Sequence, residues 1–184
     1  MKDLGSLSCV LGTEVRRDRP NGTITISQGI HIREVLKRYG FDECRGVPTP
    51  VEGKVKISAP ESADKPSEPN REKSGNSTEY RGMVGSLMYT STGTRPDIRY
   101  AVHQAAPRME DPCREDFSTC KYIFRYLSTV SDLGITFGGK SHGHDLEGFA
   151  DANWAEDVED RKSITGYIFK LNGGAISWCS RKQE

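Results

Sequence analysis

Between residues 51 and 77 the chain carries Pro60, Pro66 and Pro69 among Ser, Glu, Lys and Asn, with almost no large apolar side chain after Ile57. Such a stretch cannot bury enough surface to offset the entropy of ordering it, so it is read as a flexible linker. Any core must then be assembled from the two flanks, residues 1–50 and 78–184. At 34% hydrophobic residues in 184, that core is modest, enough for one domain or two small ones. No apolar run is long enough to span a membrane.

In the first flank, alternation around Cys9 to Val15, a turn at Pro20-Asn21-Gly22 and a second apolar alternation over Thr23 to Ile26 predict a β-hairpin. A helix is expected next. Ser27 suits its N-cap, Ile32, Val35, Leu36 and Tyr39 fall at helical spacing, and Gly40 sits where a left-handed C-terminal residue is favoured. Residues 78–131 read as three helical pieces, with Pro96 and Asp97 in a first turn and Pro107 and Pro112 as interruptions. The last piece presents Phe117, Cys120, Tyr122, Ile123, Phe124, Tyr126 and Leu127 as a broad apolar face. Packing explains that face better than stacking on nucleic-acid bases does. Strands are expected over Leu133 to Phe137, Leu146 to Asp151, Ile164 to Leu171 and Ala175 to Trp178, with Asn172-Gly173-Gly174 as a hairpin turn.

Charge sets limits on partners. The chain holds 26 basic and 26 acidic residues, so it has no overall field to attract phosphates, and weak or no nucleic-acid binding is expected. Residues 1–50 are slightly basic and residues 132–184 acidic. Five cysteines (Cys9, Cys44, Cys113, Cys120, Cys179) form no CxxC pair and are odd in number, so neither a zinc knuckle nor a disulfide framework is indicated. Neither Cys113 nor Cys120 has an identifiable base that would make it a nucleophile. His142 and His144, with Asp145, lack a further spaced metal ligand and read as surface residues. His31 and His103 read as helix residues rather than general bases. The acidic run Glu156 to Asp160 reads as a solvated loop.

Several collinear blocks carry a resemblance. Leu146 to Ala155, Asp160 to Tyr167 and Ile176-Ser177-Trp178 together look like the opening of an RNase H segment. Met1 to Gly5 with Leu11 to Val15 is similar to the end of a reverse transcriptase palm, and Ile26-Ser27-Gln28 with Tyr39-Gly40-Phe41 to a thumb. Tyr80 to Tyr89, Thr94 to Ile98 and Arg125-Tyr126-Leu127 resemble the connection between the two enzymes. The whole resembles copia-type retrotransposon Pol polyproteins. The resemblance implies that Asp151 matches the first metal-binding aspartate of RNase H, whose family cuts the RNA of a hybrid with two magnesium ions. It also places the nuclease's next acidic residue beyond Lys182-Gln183, and the polymerase aspartates upstream of Met1. Asn153 stands where an aspartate is usual. One carboxylate cannot position two ions, so no catalysis and no cofactor are expected, with Asp151 a vestige.

A second resemblance concerns Arg33, Leu36, Lys37 and Arg38, followed by Asp42, Glu43 and Arg45. These look like a degenerate version of the RxLR and dEER signals of oomycete secreted effectors, and copia-derived chains of this extent are similar to a member of that group. It implies secretion followed by action on a host plant protein inside the host cell, damping defence-associated cell death. Lys2 and Leu4 to Leu11 make a poor signal peptide, and a cytoplasmic fate is the alternative.

The expectation is therefore an α+β chain. It comprises residues 1–50 as hairpin and helix, 51–77 as linker, 78–131 as helices and 132–184 as an incomplete RNase H-like mixed sheet. The functional expectation is a non-enzymatic copia-derived effector, with an inert Pol fragment or a residual hybrid-binding module as alternatives.

Overall fold

The computed structural model describes residues 5–52, 76–139, 145–153 and 163–183. Residues 53–75 of the expected linker, His142 and His144, and the acidic run Glu156 to Asp160 lie outside them, whereas Asn76 and Ser77, expected in the linker, form the N-cap and first residue of a helix. The chain is α+β, with helices α1 (Gly29–Tyr39), α2 (Ser77–Gly93), α3 (Arg99–Ala105) and α4 (Arg114–Thr129). One antiparallel sheet has the order β1 (Cys9–Val10), β2 (Thr13–Asp18), β3 (Thr23–Ser27), β4 (Gly134–Gly138). A second has the order β5 (Leu146–Asn153), β6 (Ile164–Leu171), β7 (Gly174–Lys182). The sheet expected to be mixed is antiparallel in each of its pairings among the described residues.

Local signals worked where the chain satisfies itself. Asn172 and Gly173 both take positive φ, 49° and 80°, the two-residue turn that matches strand twist and joins β6 to β7. Gly40 ends α1 at φ 72°, its N–H returning to the carbonyls of Leu36 and Lys37. Pro96 opens the 3-10 turn Pro96–Ile98 and Pro107 is the second residue of the turn Ala106–Arg108, on either side of α3.

Two features differ from the sequence reading for tertiary reasons. Ser27 is the last residue of β3 and caps nothing: the N-cap of α1 is Gln28, whose side chain makes no cap bond. Glu14 on β2 does that work, its Oε2 accepting from Ile30 N at 2.9 Å. The strand expected at Leu133 to Phe137 forms as Gly134–Gly138 and pairs with β3, Ile24 opposite Phe137 and Ile26 opposite Ile135, instead of opening the second sheet. Alternation marks a strand but not its partner. Glycine allows the approach at both ends, since a Cβ on Gly134 would stand 2.4 Å from Ile26 O, and one on Gly138 2.3 Å from Gly22 O.

The core lies among the four helices. Ile32, Val35 and Leu36 of α1 meet Tyr80, Met83, Val84 and Leu87 of α2, Ala101 and Val102 of α3, and Cys120, Ile123, Phe124 and Leu127 of α4. Tyr39 and Phe41 lie against Phe124 with ring centroids 5.4 Å apart in each pair, so Phe124 is consumed by packing and offers no face to a base. The helical hydrophobic stripes thus converge to one centre, and the two sheets are attached around it.

Candidate functional site

Asp151 sits on β5 opposite Gly166 of β6, exposed, its Oδ1 accepting from Ala152 N at 2.9 Å. It opens onto a groove of about 570 Å³ between the second sheet and the start of α3, with Asp97, Arg99, Tyr100, Ile164 and Trp178 among its walls. The sheet is held there by two polar contacts. Trp178 Nε1 donates to Ser91 O of α2 at 2.8 Å, and His103 Nε2 on α3 accepts from Lys182 N at 3.2 Å. His103 therefore joins a helix to the end of β7, a role no feature of its sequence neighbourhood advertised.

The second carboxylate of the groove is already committed. Arg95, with no exposed surface, directs Nη2 and Nε at Asp97 Oδ2 and Oδ1, at 2.7 and 2.9 Å, and Nη1 at Val130 O at 2.8 Å. Tyr126 OH donates to the same Asp97 Oδ2 at 2.8 Å, with Arg95 5.6 Å from the centre of its ring. Burial pushes the Asp97 carboxyl upward, but the Arg95 hydrogen bonds and charge outweigh it and hold the carboxyl below its ordinary range. Burial and the hydrogen bond to Asp97 push the Tyr126 phenol up. Among the described residues no three or more His, Cys, Asp or Glu side chains gather into a group that could hold a metal.

The other sequence candidates are separated from this groove. Arg33 is half-exposed and pairs with Asp132 just before β4. Leu36 is 3% exposed in the core, whereas Lys37 and Arg38 are exposed in the last turn of α1. Asp42 and Glu43 are exposed in the following loop, and exposed Arg45 uses its carbonyl to accept from Arg125 Nε at 2.9 Å. The RxLR-like residues thus form one helix with a buried leucine, not an extended signal. Asp145 is exposed before β5. His31 lies edge-on to Tyr89, ring centroids 4.9 Å apart, and burial lowers its pKa. The buried Cys120 thiol is pushed up to about 12 by burial, and Cys113 caps α4 with Asp116 closing the capping box, so neither is poised as a nucleophile.

The chain is 38% identical over its full length to a retrovirus-related Pol polyprotein from transposon TNT 1-94 of Nicotiana tabacum, covering 14% of that protein. It is 38% identical, again over its full length, to the Pol polyprotein from transposon RE1 of Arabidopsis thaliana, covering 12%. Over 105 residues, 57% of this chain and 73% of the relative, it is 42% identical to secreted RxLR effector protein 161 of Plasmopara viticola. Over its full length the chain is thus similar to copia-type retrotransposon Pol polyproteins. No family model and no solved structure matches it. The chain spans about an eighth of the polyproteins it matches, and no helix among its described residues is long and apolar enough to cross a membrane.

Proposed function

We propose that this chain is a non-catalytic Pol-derived module whose connection helices hold a polymerase-end sheet and a nuclease-like sheet on one core. The observation that carries this reading is the state of the groove's carboxylates among the described residues: Asp97 is engaged by Arg95 and Tyr126, and Asp151 is the other carboxylate of the described lining. Hydrolysis by paired ions needs several carboxylates to place both metals and so to stabilise attacking and leaving oxygens together. The test is incubation of the purified chain with an RNA/DNA heteroduplex and magnesium, with no cleavage of the RNA strand expected.

A second reading is favoured by the effector relative alone: a secreted copia-derived protein that acts on a host protein inside a plant cell and suppresses defence-associated cell death. In that reading Arg33, Leu36, Lys37, Arg38, Asp42, Glu43 and Arg45 would serve as the RxLR-like and dEER-like signals. The burial of Leu36 weighs against these residues being read as a linear signal in the folded state. Expression in leaf tissue challenged with a death-inducing elicitor separates the two readings. Reduced cell death supports the effector, and unchanged cell death leaves the scaffold reading.

A further inference from the structure

The end of β7 is tied to α3 through a group whose chemistry changes near neutral pH. In the antiparallel ladder the N–H of Gln183 turns inward to Ser163 O at 2.9 Å, so that of Lys182, one residue earlier, turns away from β6. On that side of the sheet no strand is paired among the described residues, and an outward N–H there needs a partner from elsewhere. It finds Nε2 of the half-buried His103, at 3.2 Å. A ring nitrogen accepts only when it carries no proton, so the imidazole that makes this bond is neutral, with its proton on Nδ1.

The helix fixes which charges face His103. Arg99 and Tyr100 stand four and three residues before it and share its side of α3, whereas Ala101, Val102 and Ala105 turn to the core, so α2 and α4 with their charged groups meet the other side. Arg99 Nη1 is directed at Thr92 Oγ1 of α2, at 3.4 Å. The turns flanking α3 contribute Asp97, which Arg95 holds, and Arg108. β7 contributes Lys182, while Arg181 beside it points to the opposite face of the sheet. Imidazole is the side chain whose ordinary titration falls between about pH 5 and 8.

We propose that His103 is a proton-operated latch: in mild acid its protonated Nε2 meets the Lys182 N–H donor against donor, and the end of β7 comes off α3. The groove beside Asp151, whose walls include Arg99 of α3 and Ser180 of β7, opens at that end. The release is local, because Trp178 Nε1 still donates to Ser91 O and β7 stays paired with β6. Only the neutral ring makes the bond, so its contribution is whole above the imidazole range and is lost as pH falls through it. The latch is independent of either proposed function, and both survive its failure.

The experiment is amide hydrogen exchange on the full chain, read residue by residue by NMR from about pH 8 to about pH 5 and corrected for the intrinsic pH dependence of exchange. Protection of the Lys182 N–H should fall roughly tenfold across that range, the worth of about one hydrogen bond, while protection of the Gln183 N–H stays constant. His103→Gln, whose Oε1 reaches the place of Nε2 and does not titrate, should keep Lys182 protected at both ends of the range. His103→Leu should leave it unprotected at both. Constant protection of Lys182 in the unaltered chain would overturn the proposal. So would an equal acid loss in His103→Gln, which would assign the titration to another group, or a parallel loss at Gln183, which would make the change an unfolding of the sheet.

Discussion

Asp97→Ala lowers the free energy of unfolding by about 3–5 kcal/mol, because it strands the guanidinium of Arg95 inside the protein. Arg95 has no exposed surface, and of its three anchoring groups only Val130 O and the ring of Tyr126 would remain. The double variant Arg95→Met/Asp97→Ala costs less than Asp97→Ala alone, since an apolar side chain of similar length leaves no buried charge to compensate. Urea denaturation at neutral pH reads both, as a shift of midpoint without change of slope. A single-variant loss below about 1 kcal/mol would show that water or another group satisfies Arg95. The same network sets an acid limit. The Asp97 carboxyl is held below its ordinary value of 3.8 in the folded protein, so its contribution is complete above that value and is lost as pH falls through the lower folded one.

Leu36→Ala costs about 2–5 kcal/mol, the range for removing a buried leucine from a packed core. Its side chain is 3% exposed and belongs to the cluster shared by α1, α2, α3 and α4, so the cavity would open where four elements meet. Lys37→Ala, in the exposed last turn, changes stability by less than about 0.5 kcal/mol. Arg33→Ala loses only a surface pair with Asp132, about 0–1 kcal/mol. Thermal melting of the three variants shows which RxLR-like residues the fold requires. A Leu36→Ala loss no larger than that of Lys37→Ala would mean that α1 is not anchored and that its residues are accessible as a segment.

Sequence reading succeeded wherever the cause of a feature lies within a few residues of it. Asn172-Gly173 demands positive φ from both residues, Gly40 ends its helix in the left-handed region, and α4 carries its apolar stripe at helical spacing. It failed where the cause lies across the fold. Ser27 had the chemistry of a cap, but strand pairing with Gly134 claimed it while Glu14 reached the helix end from another strand. β4 was legible as a strand, yet its return to β3 depends on the route of the helices between them and on two glycines that permit contact. At the candidate site, Asp151 was found through resemblance to a nuclease. Asp97, in the quoted block Thr94 to Ile98, gave no hint that Arg95 and Tyr126 engage it, because Tyr126 comes from a helix 29 residues further on.

On the proposed reading, Asp151 has too little carboxylate company among the described residues to organise two metal ions. Purified chain and its Asp151→Asn variant should be compared on an RNA/DNA heteroduplex with magnesium, following the length of the RNA strand over time. Intact RNA is expected with both proteins, indistinguishable from heteroduplex alone. Cleavage by the unaltered chain that disappears in Asp151→Asn would contradict it.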